Sequence, residues 1–185
     1  YLFNNQTSKS QTFKINDRSK REYNSTSFTV PLTNQKIIDY SESYSKWDDS
    51  FKIENILDGN SSTSYHSVKN KFINTEPFEL TIDLGANYFV NTLNITTYNG
   101  NQAHYPTFFT LYGGTTLDDL KKLKVVENQT VTNKNLSVSF DTINIRYYKI
   151  VITNTSEQKY VAISDINMAL TTNGKQISPK NALYY

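Results

Sequence analysis

The run Phe78-Glu79-Leu80-Thr81-Ile82-Asp83-Leu84 alternates apolar and polar side chains at every step. Successive side chains of a β-strand point to opposite faces, so this period of two marks a strand with one face in a core and the other in water. Gly85 reads as its end. Similar runs recur down the chain. Residues 88–98 hold Phe89, Leu93 and Ile95 among β-branched neighbours, and residues 106–112 run from Pro106 to the Gly113-Gly114 pair. Residues 122–126 and 136–140 follow, then the clean alternation Arg146-Tyr147-Tyr148-Lys149-Ile150-Val151-Ile152-Thr153, and finally residues 162–170. Short strands separated by turn-rich gaps of about 8–12 residues predict an all-β sandwich or jelly roll. No long segment has helical period; Thr116 is placed to cap a single helical turn before Leu117-Asp118-Asp119-Leu120.

The ends of the chain lack this patterning. Residues 1–35 read as a leader or linker, with Phe28-Thr29-Val30 as one short strand docked on the main domain. Residues 36–170 form that domain. Residues 171–185 lose alternation, turn at Asn173-Gly174, meet Pro179, and read as a linker to a following domain. The chain opens on Tyr1 without an initiator Met or a signal-peptide pattern, so we expect an internal cut from a longer protein with flanking domains.

The chain has 185 residues and no cysteine, so its fold uses no disulfide and it carries no thiol nucleophile or zinc thiolate site. A core of this length needs no staple, and Tyr and Phe, at 14 and 10 copies, supply large buried areas. The formal net charge is +2, with basic residues scattered; Arg18-Ser19-Lys20-Arg21 is the densest patch and reads as a solvated linker. Nucleic acid is therefore not an expected partner. No run approaches the roughly 18 apolar residues of a membrane span.

Catalytic constellations are missing. The only histidines are His66 and His104, with no Gly-x-Ser-x-Gly elbow and no His-Glu-x-x-His motif. The pairs Asp48-Asp49 and Asp118-Asp119 are neighbours in sequence, which on a strand sends them to opposite faces and makes no glycosidase pair. A non-catalytic binding module is the expectation.

Three segments, in order, carry a signature. They are Asn55-Ile56-Leu57-Asp58-Gly59-Asn60-Ser61-Ser62-Thr63-Ser64-Tyr65-His66-Ser67, then Leu80-Thr81-Ile82-Asp83-Leu84-Gly85, then Arg146-Tyr147-Tyr148-Lys149-Ile150 with Ala162-Ile163-Ser164-Asp165-Ile166. Over residues 36–170 the sequence resembles the discoidin, or coagulation factor type C, family, and within it the bacterial family 32 carbohydrate-binding modules. The resemblance implies a jelly-roll β-sandwich of the galactose-binding-domain-like kind, with ligand loops at one end. It also implies a structural Ca²⁺ held by Asp58, Asn60, Thr63, the carbonyl of Ser164 and Asp165. The physical reading agrees: Asp-Gly-Asn puts a carboxylate beside a residue free to take positive φ, which lets carbonyls turn inward to a cation that takes six to eight oxygens. This chain departs from the family in having Asp165 for the usual Glu and Tyr65 for the Trp before His66.

For the ligand, the resemblance implies a sugar site that includes His66. The usual Arg position falls at Tyr98, and the usual aromatic falls near Lys69 or Phe72. A sugar site needs a flat aromatic face and a few fixed polar groups. Tyr98, Asn101, His104, Tyr105 and Tyr160 supply those types, and as loop-tip groups His66 and Tyr105 are expected to add little to the core. The implied partner is a glycan of galactose or N-acetylhexosamine type. The implied role is to target a secreted or cell-surface multidomain enzyme (glycoside hydrolase, sialidase or mucin-directed metallopeptidase) to host or polymeric glycans, without membrane insertion. The alternative is a protein-binding or adhesion discoidin-like domain without sugar affinity.

Overall fold

The structure is a computed structural model that describes residues 26–67, 75–98, 104–129, 135–156 and 160–172. Nearly all of this lies in one compact unit, Ser27–Thr171. The sequence expectations for residues 1–25 and 173–185 lie outside the described residues.

The strands are β1 (Thr26–Thr29), β2 (Lys36–Tyr40), β3 (Tyr65–His66), β4 (Phe78–Thr97), β5 (Pro106–Gly114), β6 (Lys121–Val126), β7 (Asn135–Thr155) and β8 (Ala162–Thr172). Short 3₁₀ turns at Leu32–Asn34, Ile53–Leu57 and Leu117–Asp119 join them. The third is the turn foreseen after Thr116, which sits at the cap position but makes no side-chain cap bond. The strands hydrogen-bond in the order β1-β8-β4-β7-β5-β6, with β2 beside β4 and β3 beside β8. The fold is an antiparallel jelly-roll β-sandwich.

Two long strands make both layers. The first part of β4 pairs with β2 (Lys36↔Asp83 to Tyr40↔Leu80) and with the later part of β7 (Phe78↔Ile152 to Asp83↔Tyr147). Its second part pairs with the early part of β7 (Thr92↔Ser139 to Thr96↔Asn135) and with β8 (Thr92↔Ala169 to Thr96↔Asp165). Gly85 lies at the passage between layers, where the β4–β7 register shifts between Asp83 and Tyr88. Its φ is +83°, and a Cβ there would come within 2.7 Å of the Asn34 carbonyl oxygen, so only glycine fits without strain. The expectation that Gly85 ends a strand is corrected: the strand bends and continues. Residues 136–140 and 146–153 are likewise parts of one strand, β7, because a register shift breaks the alternation without a turn.

The core lies between the layers. Phe78, Leu80, Ile82 and Leu84 come from the first part of β4, Leu93 and Ile95 from its second part, Ile150 and Ile152 from β7, and Ile163, Ile166 and Met168 from β8; all are at most 1% exposed. The opposite face of the same alternation carries charge. Arg146 clasps Asp83 through two hydrogen bonds of 2.9 Å, which holds the Asp83 carboxyl below its ordinary range, and Lys149 pairs with Glu79. Tyr65 stacks on Phe78 with ring centroids 5.7 Å apart and donates its hydroxyl to the Tyr44 carbonyl, so it fills the wedge position below the loops. Burial, reinforced by nearby Glu76, pushes the Tyr44 phenol up to about 12.

Candidate ligand-binding site

His66 ends the two-residue strand β3, opposite Ala162 of β8. Its neighbours are pinned by backbone bonds. The Trp47 N–H donates to the His66 carbonyl at 2.8 Å, the Ser67 N–H to the Val161 carbonyl at 3.0 Å, and the Val161 N–H to Ser67 Oγ at 2.9 Å. Buried Asn55 ties the preceding loops together, its Nδ2 donating to the carbonyls of Ser50 at 2.7 Å and Ser64 at 2.8 Å. These bonds bring the segment around Trp47, strand β3 and the start of β8 to one place.

The result is an aromatic cluster with His66 at its hub. Trp47, Phe51, Tyr98, His104 and Tyr160 surround the imidazole with ring centroids 5.2–5.7 Å away. Trp47, Tyr98 and His104 meet the imidazole edge to face and Phe51 and Tyr160 at a tilt, contacts that fix ring orientation. Trp47, at 54% exposure, presents an indole to solvent above the hub; Phe51, Tyr98 and Tyr160 are half-buried around it. The His66 Nδ1 lies 2.9 Å from the Ser67 carbonyl oxygen. A carbonyl only accepts, so Nδ1 carries the proton and Nε2 of the neutral ring is the acceptor. Burial lowers the His66 pKa, the Ser67 bond opposes this, and His104 lowers it further, so the neutral ring is favoured.

Of the sequence candidates, His66, Tyr98, His104 and Tyr160 come together here. Asn101 lies outside the described residues, as do residues 69 and 72. Tyr105 stands apart from the ring cluster: it is half-buried and lines a different cavity. The expectation that His66 adds little to the core is corrected, since it is only 9% exposed; His104 beside it is 6% exposed. Sequence reasoning missed Trp47 and Phe51. The available signal was the sole Trp of the chain in the polar run Ser45-Lys46-Trp47-Asp48-Asp49-Ser50, where no alternation assigns it to a core.

The Asp58 loop is built as an oxygen nest. Gly59 takes φ +71°. Asp58 Oδ1 accepts the Asn60 N–H at 2.8 Å, and the Thr63 hydroxyl lies 2.6 Å from Asp58 Oδ2 and 2.8 Å from the Asn60 carbonyl oxygen. Asp165, on β8, accepts the Gly59 N–H, while burial and the nearby Asp58 charge raise its carboxyl pKa. Ser164 falls at a register shift between Thr96↔Asp165 and Thr97↔Ile163, and its own hydroxyl donates to the Thr97 carbonyl at 3.2 Å. Its side chain is thereby committed to Thr97, so the backbone carbonyl is the Ser164 oxygen to count toward this loop. Among the described residues no group of three or more His, Cys, Asp or Glu gathers. The donors here are instead two mutually repelling carboxylates with a carbonyl and a hydroxyl, a set that fits a hard cation such as Ca²⁺ and not a transition metal.

Comparison with known proteins agrees with this architecture. The sequence matches the F5/8 type C domain family over residues 37–166, and the chain belongs to that family. Its structural neighbours are family 32 carbohydrate-binding modules. CpGH89CBM32-5 of Clostridium perfringens, solved in complex with GalNAc-β-1,3-galactose, is 17% identical with a TM-score of 0.63, covering 76% of this chain and 99% of that one. The family 32 module of C. perfringens NanJ, solved in complex with galactose, is 16% identical with a TM-score of 0.62, covering 78% and 99%. CBM32-3 from a family 31 glycoside hydrolase of C. perfringens is 19% identical with a TM-score of 0.65, covering 76% and 94%. No curated protein matches the sequence. Among the described residues no helix is long and apolar enough to cross a membrane.

Proposed function

We propose that the chain is a non-catalytic glycan-binding module. One observation carries this: the exposed Trp47 indole packs on a hub of rings centred on His66, whose Nδ1 is committed to the Ser67 carbonyl so that Nε2 is the ring's acceptor. A pyranose has a face of C–H bonds and a rim of hydroxyls. The indole face takes the first, and Nε2 accepts from the second. The rings beneath Trp47 hold it in place, so little side-chain entropy is lost on binding. With no Arg at the Tyr98 position, charge-assisted bonds to the sugar are fewer and affinity is weak, on the order of 0.1–1 mM.

Two of the similar modules were solved with galactose or a GalNAc-galactose disaccharide, which supports a sugar of galactose or N-acetylhexosamine type here. The Asp58 loop holds a structural Ca²⁺ that fixes the loop end of the sandwich through Asp58, Asn60, Thr63, Asp165 and the Ser164 carbonyl. The module, residues 36–170 between a leader and a linker, serves a secreted or surface-attached multidomain enzyme. Its gain is in local concentration at a polymeric substrate, since tethering makes the enzyme's encounter intramolecular.

The test is a glycan array probed with the chain and with its Trp47→Ala variant. Binding to galactose-type or N-acetylhexosamine glycans that the variant loses supports the reading. An array on which both proteins are blank discards it in favour of a protein ligand.

A further inference from the structure

The neighbouring carboxylates Asp48 and Asp49 follow directly on Trp47. They lie in a turn and not on a strand. The Phe51 N–H donates to the Asp48 carbonyl at 3.1 Å, which closes a four-residue turn from Asp48 to Phe51. Rings stand at both ends of it. Trp47 precedes the turn and Phe51 completes it, and their ring centroids lie 5.7 and 5.6 Å from that of the same imidazole, His66. The chain between the two rings is so short that the shape of the turn sets where each ring sits.

Packing does not hold that shape. Asp48, Asp49 and Ser50 are all exposed, so no buried side chain anchors the turn, and its conformation depends on polar contacts.

The two carboxylates make different contacts. Asp48 Oδ1 accepts the Ser50 N–H at 2.8 Å and also the Ser50 hydroxyl, the local bonding by which Asp opens a turn. These bonds hold the Asp48 carboxyl below its ordinary range, so it stays an ionised acceptor. The Ser50 carbonyl accepts from Asn55 Nδ2 at 2.7 Å, and the same nitrogen donates to the Ser64 carbonyl, two residues before His66. With the Trp47 N–H on the His66 carbonyl, the contacts close a circuit through Trp47, Asp48, Ser50, Asn55, Ser64 and His66. Asp49 stands outside this circuit. It is 97% exposed and pairs with Lys46 at 2.6 Å, an i,i+3 surface ion pair of the kind that contributes little.

We infer that Asp48 is a positioning residue of the sugar site: its side chain, through Ser50, fixes the turn that holds Trp47 and Phe51 against His66. A platform ordered before the ligand arrives loses less entropy on binding. The effect on sugar affinity rests on the glycan-binding reading above; the ordering of Trp47 does not. What the turn requires of residue 48 is an acceptor oxygen, which Asn also supplies and Ala lacks.

Trp47 is the sole Trp of the chain, so its fluorescence reports on this turn. The experiment compares the full chain with Asp48→Ala, Asp48→Asn and Asp49→Ala, by time-resolved Trp anisotropy and by NMR titration with lactose and N,N′-diacetylchitobiose. Asp48→Ala should add fast depolarisation of the indole and weaken sugar binding about three- to tenfold, the entropy of re-ordering one freed side chain. Its Tm should move by no more than about 2 °C. Asp48→Asn should restore both readouts, and Asp49→Ala should match the parent in both. Parent-like anisotropy in Asp48→Ala overturns the assignment whether or not sugar binds. So does unchanged sugar affinity in that variant, or an Asp48→Asn variant as impaired as Asp48→Ala. Anisotropy lost in Asp48→Ala alone, with no sugar-induced shift in the parent, leaves the assignment standing and discards the glycan reading.

Discussion

His66 donates from Nδ1 to the carbonyl of its own neighbour Ser67, 2.9 Å away. That short local bond decides the chemistry of the ring. It commits one nitrogen to the fold and leaves the other as an acceptor at the centre of the aromatic cluster. A protonated His66 would lose that acceptor.

Sugar binding should therefore fall in acid. The His66 pKa is depressed from its ordinary value of about 6.5, with burial as the main cause. Affinity measured by titration calorimetry should be flat from neutral pH down to about 6.5 and decline below it, as the folded ring takes up its proton. Stability follows the same sign. The unfolded chain protonates His66 first, so the contribution of the neutral ring is present above about 6.5 and is lost as pH falls through the lower folded value. A His66→Gln variant should show a flatter profile on this acid side.

Trp47→Ala and His66→Ala should separate binding from stability. Trp47 is more than half exposed, so its removal should abolish binding while changing stability by no more than about 0.5 kcal/mol. His66 is the buried hub of five rings, and its removal should destabilise by about 1–3 kcal/mol as well as abolish binding. Thermal denaturation of both variants checks this; equal loss of Tm in the two would contradict the division of roles.

Calcium should raise the Tm, because an ion that binds only the folded state stabilises it by mass action, about 2.7 kcal/mol at a hundred times Kd. Asp58→Ala should remove that increment. It also breaks bonds to the Asn60 N–H and Thr63, so the quantity to compare is the calcium-induced shift and not the Tm itself. The raised Asp165 carboxyl adds a pH arm. The ion competes with a proton there, so the calcium increment should shrink as pH falls toward the acid range. A Tm indifferent to both calcium and chelator refutes the site.

Tyr148 offers a test of the core. It is fully buried, and its hydroxyl has no hydrogen-bond partner among the described residues. Burial pushes its phenol pKa far up. Tyr148→Phe removes the unsatisfied oxygen while keeping the ring, so stability in urea should rise, by about 1 kcal/mol or more. A loss of stability would mean that the oxygen has an unseen partner such as water.

The sandwich was legible because alternation is a local signal. Phe78, Leu80, Ile82 and Leu84 announce their buried face in the sequence, and that is the face the structure buries. Strand β2 was not legible. It carries Ile37 and Ile38 in succession, its register shifts between Ile37 and Asp39, and Ile38 is left 42% exposed, so no period of two survives. The bend at Gly85 was misread for a related reason: a turn and a passage between layers both interrupt alternation and both favour glycine. At the site, His66, Tyr98, His104 and Tyr160 were reachable through motif and residue type. For Trp47 the polar run around it signals only an exposed ring; its place beside His66 is set by a backbone bond between distant segments that leaves no mark on sequence spacing.

The passage of β4 and β7 through both layers has a thermodynamic consequence. Neither layer owns a complete set of strands, so one cannot open while the other stays closed without breaking the ladder from Phe78↔Ile152 to Thr96↔Asn135. The sandwich should therefore behave as a single cooperative unit. In hydrogen exchange, amides of β4 on either side of Gly85 should share one opening free energy. A ligand or ion bound only at the loop end would then slow exchange along the whole of both strands, far from any atom it touches.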